Sequence, residues 1–217
     1  MPSFADLQKH FDDLIRKGLE GSVFAKRLTD ADAEITKLKD ATGLLALPPG
    51  YEDVGNLTKD QGVNWTRDID SSDTTSLGKS EPTRRDIISD VTGLQFTMQE
   101  SKKAVFELYD GIDLTGVTQD ANGNVSWDKA DRPAAIYYRM FALFKDGDGA
   151  DAIYFAKWLP RAQVTDRGEQ GWNENNEVQY PVTLTAYVDR TAGTSMRTLW
   201  AGPAAKMTAM GFPVSGV

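Results

Sequence analysis

The chain has 217 residues, 40% of them hydrophobic, which is enough for one well-buried core or a long single β domain. Cysteine is absent and His10 is the single histidine, so disulfides, thiolate nucleophiles and cysteine-based metal sites are excluded. A net charge of −8 argues against a protein that grips nucleic acid, because phosphate binding needs clustered Lys and Arg.

The opening segment, "MPSFADLQKHFDDLIRKG", carries acids and lacks a signal-peptide core. No apolar run approaches the ~20 residues of a membrane span. These features predict a protein of the cytoplasm, or one that leaves the cell by lysis. Phe4, Leu7, Phe11, Leu14 and Ile15 fall on one stripe at helical spacing, predicting an amphipathic helix over 3–19. A second short helix is expected at 30–40, with Thr29 as its cap and Ile35 and Leu38 on its apolar side. "PPG" at 48–50 stops helical structure. Residues 1–45 therefore read as a helical arm, 46–203 as the main domain and 204–217 as a C-terminal tail.

From Tyr51 the pattern is β. Val63, Trp65 and Ile69 alternate with Asn64, Thr66, Asp68 and Asp70. "SSDTTSLGKSEPT" (71–83) has no apolar periodicity and reads as a long loop. After "RRDIISDV", Leu94, Phe96 and Met98 alternate with polar neighbours. "SKKAVFELY" (101–109) switches to helical spacing, with Ser101 as N-cap and Val105, Leu108 and Tyr109 on the buried side. "DANGN" (120–124) is a hairpin signal. "KDGDGAD" (145–151) joins two aromatic-rich strands. The clearest pattern is "NEVQYPVTLTAYVD", where residues 178–188 alternate strictly. A strand that long spans roughly 36 Å, about twice the usual length.

Several matches to chemical motifs fail on spacing. "GKS" at 78–80 ends like a phosphate-binding loop, but the glycine that loop needs five positions earlier is Asp73. "DANGN" and "DGDGAD" resemble calcium loops, yet Val125 and Ala150 stand at required positions. His10 reads as a solvated surface histidine, and 32 acids make any proposed carboxylate pair nonspecific. No cofactor, metal or catalytic constellation is expected.

Five blocks resemble the major tail protein, or tail tube subunit, of long-tailed phages, particularly those infecting actinobacteria. They are "LLALPPGYEDVGNLTKDQGVNW", "SLGKSEPTRRDIISDVTGLQFTMQESKKAVFELY", "YYRMFALFKDGDG", "LPRAQVTDRGEQGW" and "NEVQYPVTLTAYVD", covering about 43–190 in order. The resemblance implies a mainly β fold, a β-sandwich or partial barrel with one flanking α-helix, "SKKAVFELY". It implies rings of six copies that stack into a tube carrying DNA. Partners would be the chain itself, a tape-measure protein and tail completion proteins, with DNA passing transiently and no membrane involved. The chain would reside in the virion tail after assembly in the host cytoplasm. The loop containing Ser71, Asp73, Lys79 and Glu81 would reach the next ring. The strands flanking it would line the channel, with Asn64, Thr66, Asp68, Asp70, Asp86 and Asp90 facing the lumen. Independently of the resemblance, the stripe Phe4, Leu7, Phe11 and Leu14 needs an apolar partner, because an isolated helix of this length is marginal in water, and it is expected to dock on a neighbour or to rearrange during assembly. The rival readings are another virion protein, a head decoration or tail-tip protein, and a β-sandwich carbohydrate hydrolase.

Overall fold

A computed structural model describes residues 3–29, 33–40, 42–44, 46–132 and 134–214. The protein is mainly β, built on one open antiparallel sheet and flanked by one main helical segment. Its principal strands are β1 (Glu20–Arg27), β4 (Glu52–Asp53), β5 (Val63–Thr75), β6 (Pro82–Met98), β7 (Tyr138–Asp146), β8 (Ile153–Arg167), β9 (Tyr180–Ala186) and β10 (Arg197–Ala201). The sheet order is β4-β1-β7-β8-β9-β6-β5, and β10 pairs with β8 off this path. β8 is long enough to serve two neighbours on one edge: Tyr154–Trp158 pair with β10, and Ala162–Arg167 with β9.

Alternation along the strands sends apolar side chains to two cores. Leu94, Phe96 and Met98 of β6 meet Val182, Leu184 and Ala186 of β9, together with Met140 of β7 and Leu159 of β8. The opposite face holds Phe141, Ala156, Trp158 and Leu199, covered by Ile35 and Leu38. Tyr51 secures that cover by accepting a hydrogen bond from Trp158 Nε1 at 2.8 Å. Two guanidinium groups also approach the Trp158 ring, Arg139 at 5.5 Å and Arg197 at 5.1 Å.

The helix expected over 3–19 is reduced to α1 (Phe4–Leu7) and a 3-10 turn at Asp12–Leu14. Its apolar stripe has no core to pack against within the described residues, and propensity alone does not hold a helix of that length. Glu20–Arg27, inside the expected arm, is a full strand against β7. Gly21 permits this, since a side chain there would collide with the Phe144 ring. The second expected helix is also absent. Residues 33–38 are irregular, Lys39–Asp40 form β2 against β3 (Gly43–Leu44), and residues 30–32 lie outside the described residues. Ile35 and Leu38 are nevertheless buried, so their apolar character served a cover segment rather than a helix face.

"SKKAVFELY" is helical as α2 (Lys103–Phe106), continuing as a π turn through Glu107–Gly111. Val105 and Leu108 are buried as expected. Lys102, not Ser101, stands at the N-cap, and the Ser101 hydroxyl pairs instead with the Tyr180 hydroxyl at 2.8 Å. "DANGN" forms a turn without flanking strands, closed by Asp120, which accepts from the backbone N–H of Asn122 and Asn124. The strand expected over 178–188 is β9, seven residues long, with Val188 exposed beyond it. The threonine face of β9 turns away from the core, and Thr185 meets Thr165 hydroxyl to hydroxyl at 3.0 Å. The expected tail contains α3 (Ala204–Ala209).

Candidate assembly and channel surfaces

The feature that dominates the surface is the β5–β6 hairpin. Most of the expected 71–83 loop is strand, and the turn itself occupies only 76–81. Apolar alternation could not reveal this, because the outer part is held by charge. Arg67 makes a bidentate pair with Asp90, at 2.8 and 2.5 Å. Arg85 does the same with Asp73, at 2.7 and 2.8 Å, and Arg84 pairs with Asp86 at 2.8 Å. The hydrogen bonds from Arg67 and Arg85 lower the pKa values of Asp90 and Asp73 respectively, so both carboxylates stay charged into acid. Every side chain of β5 from Arg67 to Thr75 is exposed, as is every one of β6 from Pro82 to Asp90.

Directly opposed residues of an antiparallel pair point to the same side. The register therefore sorts the hairpin into two faces. Trp65, Arg67, Ile69, Ser71 and Asp73 continue the core side, opposite Leu94, Thr92, Asp90, Ile87 and Arg85. Asn64, Thr66, Asp68, Asp70 and Ser72 form the other face, opposite Gln95, Gly93, Val91, Ser89 and Asp86. A register shift between Asp70 and Ser71 makes Ile88 the extra residue of a bulge. That bulge reverses the parity of β6, so Asp86 and Asp90 do not share a face, contrary to the sequence expectation. Asp86 joins Asp68 and Asp70, while Asp90 lies with Arg67 on the other side. Ile69, expected in the core, is exposed because the core ends near Trp65.

Ser71 and Asp73 lie in β5, Lys79 in the turn and Glu81 just before β6, all exposed. The turn also carries Leu77, a fully exposed apolar side chain that its polar surroundings in the sequence had hidden. Phe4, Leu7 and Phe11 are 75%, 67% and 63% exposed, and Leu14 is half-buried. Ile15 and Leu19 extend the exposed apolar series. β5 ends the sheet on one side, and its outer edge pairs with no described strand. At the other end β4 covers only Phe24 and Ala25 of β1.

A cavity of about 710 Å³ lies beside the π turn, with Tyr109, Trp127, Lys129 and Arg167 in its wall. Among the described residues, no group of three or more His, Cys, Asp or Glu is placed to hold a metal ion.

No curated protein matches the chain. Among solved structures, it is similar to a chain from the virion of a native gene transfer agent particle, at 10% identity and a TM-score of 0.36, covering 68% of this chain and 88% of that one. It is similar to the tube-terminating cap of the anti-feeding prophage, at 10% identity and 0.45, covering 92% and 100%. A chain of the anti-feeding prophage baseplate is similar at 11% identity and 0.41, covering 84% and 92%. The family described as phage tail tube protein matches residues 12–203, nearly the whole chain. The chain belongs to the phage tail tube protein family and is a structural protein of the virion tail, not an enzyme.

Proposed function

We propose that six copies of this chain close into a ring, that rings stack into the tube of a long non-contractile tail, and that DNA passes through it during ejection. The β5–β6 hairpin is the observation that carries this reading. It is exposed on both faces beyond Arg67, tied across its strands by two ion pairs, Arg67 with Asp90 and Arg85 with Asp73, and bounded by an edge that pairs with no described strand. A two-stranded hairpin is marginal alone in water, and a free edge is a template for pairing. Family membership supports the tube, and the hairpin supplies contacts outside its own chain.

The sheet has unlike edges, β5 at one end and the thinly covered β1 at the other. An unlike pair of surfaces makes a heterologous contact, which closes a ring when its rotation allows. The turn at 76–81, with Leu77, Lys79 and Glu81, reaches the next ring. The N-terminal segment through Leu19 acts as an arm. Other partners are a tape-measure protein and tail completion proteins. The subunit gathers in the host cytoplasm and ends in the virion.

The face bearing Asn64, Thr66, Asp68, Asp70 and Asp86 lines the channel, and Asp90 belongs to the opposite face. Ring symmetry multiplies Asp68 and Asp70 into circles of negative charge, while Asp86 on the same face is paired with Arg84. Duplex DNA adheres to proteins chiefly by releasing counterions to Lys and Arg, and an acidic wall removes that attraction. Asp68→Lys combined with Asp86→Lys is expected to leave tails intact but slow DNA ejection severalfold at low salt, with recovery as salt rises. Ejection unchanged at every salt concentration would contradict this lining of the channel.

A further inference from the structure

A second surface of the chain is left open among the described residues. A groove of about 420 Å³ runs between the root of β5 and the β7–β8–β10 corner. Its apolar walls include Trp65, Phe144, Phe155 and Trp200. Phe155 stacks on Phe144 at 5.8 Å and on Trp200 at 5.1 Å, giving a continuous aromatic floor. Lys157 also faces the groove, with its ammonium 4.6 Å from the centre of the Trp65 ring. No carboxylate among the described residues pairs with it. Burial holds the Lys157 pKa below its ordinary value, the mark of a cation short of solvation and counterion.

The N-terminal segment has the complementary character. Phe4, Leu7, Phe11, Ile15 and Leu19 are exposed at spacings of three and four residues. Between two of these apolar side chains stand Asp12 and Asp13, and neither has an ion-pair partner among the described residues. The root of this segment is fixed: Leu19 donates its N–H to the Lys145 carbonyl at 3.1 Å, and Arg16 lies 3.8 Å from Asp146. Gly18 forms part of the groove wall, whereas Phe4, Leu7, Phe11, Ile15 and Leu19 do not line it.

We infer that the N-terminal stripe of a second copy of this chain lies in the groove, with its Phe11 and Ile15 on the Phe144–Phe155–Trp200 floor and its Asp12 or Asp13 on Lys157. The match is of shape class and of charge: an apolar stripe with unpaired carboxylates meets an apolar groove with an unpaired ammonium. A carboxylate brought to a desolvated ammonium beside an indole gains more than it would in open water. The contact is heterologous, so one chain offers its stripe to the next and its groove to the previous one. This inference rests on the proposed self-assembly and gives the arm a specific seat within it.

The natural absence of cysteine makes disulfide trapping a clean test. Phe11 and Thr198 are both exposed, so Phe11→Cys and Thr198→Cys are expected to fold, with melting temperatures unchanged. Equal amounts of the two single variants, concentrated under oxidising conditions, should yield a covalent dimer that neither yields alone across this pair. The double variant should yield a ladder of linked multimers. Lys157→Glu should weaken association at least tenfold, and Asp12→Lys with Asp13→Lys should restore it. An intrachain-linked monomer as the sole product would mean that the stripe seats on its own chain and would overturn the inference. Tubes seen by electron microscopy in the same samples without any crosslink would overturn it too, while leaving the tube reading intact. Crosslinked multimers without tubes would uphold the contact and count against the tube. Neither crosslinks nor tubes would overturn both.

Discussion

Replacing residues 71–88 with an Asn-Gly turn is expected to leave a folded subunit that makes no long tubes. Asp70 and Ser89 are directly opposed, so a two-residue turn can join them with the geometry hairpins prefer. None of the removed side chains belongs to either core. What goes are the outer ion pairs, Arg85 with Asp73 and Arg84 with Asp86, and the turn that carries Leu77. Fully exposed pairs of this kind are screened by water and add little to stability, so the melting temperature should move by only a few degrees. Rings without axial contacts cannot stack, and the measurable result is loss of polymers at concentrations where the parent forms them. Tubes of normal length from the shortened chain would remove the hairpin from ring-to-ring contact.

Leu184→Asp should have the largest effect on the subunit itself. Leu184 is wholly buried at the centre of β9, opposed by Leu94 of β6 on one side and Val164 of β8 on the other. The substitution removes a buried side chain, worth about 2–5 kcal/mol when only truncated. It also leaves a carboxylate with no partner in an apolar setting, at a cost of several kcal/mol more. A typical domain is stable by about 5–15 kcal/mol in total, so the variant should be unfolded or insoluble. The neighbouring Thr185 faces the other way, and Thr185→Asp should cost far less. Soluble Leu184→Asp protein with an unchanged melting transition would show that the core does not run through this strand.

The parts of the fold that could be read from the sequence are those where apolar periodicity and burial coincide. Leu94, Phe96 and Met98 were legible because each buried residue is followed by one that faces the other side, and the β9 series was legible for the same reason. The outer hairpin was not, because Asp73 with Arg85 and Arg67 with Asp90 hold it through charge, which leaves no hydrophobic period. The N-terminal stripe misled in the opposite direction. Phe4, Leu7 and Phe11 have helical spacing, but among the described residues they stay exposed, with no core packed against them to fix a helix. β1 was hidden because a short strand with charged ends offers only Val23, Phe24 and Ala25 as signal, and those three face two different cores. On the candidate channel face, Asn64, Thr66, Asp68 and Asp70 followed from simple alternation in β5. Asp90 did not, because a bulge at Ile88 changes parity and nothing in the local composition announces one.

Closure into rings and stacking of those rings can be observed by negative-stain electron microscopy of the purified protein, concentrated from dilute solution. Annular particles whose end views average to six-fold symmetry are expected, and, at higher concentration, straight tubes with a regular axial repeat and a continuous central channel. Particles that stay monomeric at every concentration, or that form trimers or spikes without a channel, would contradict this assembly.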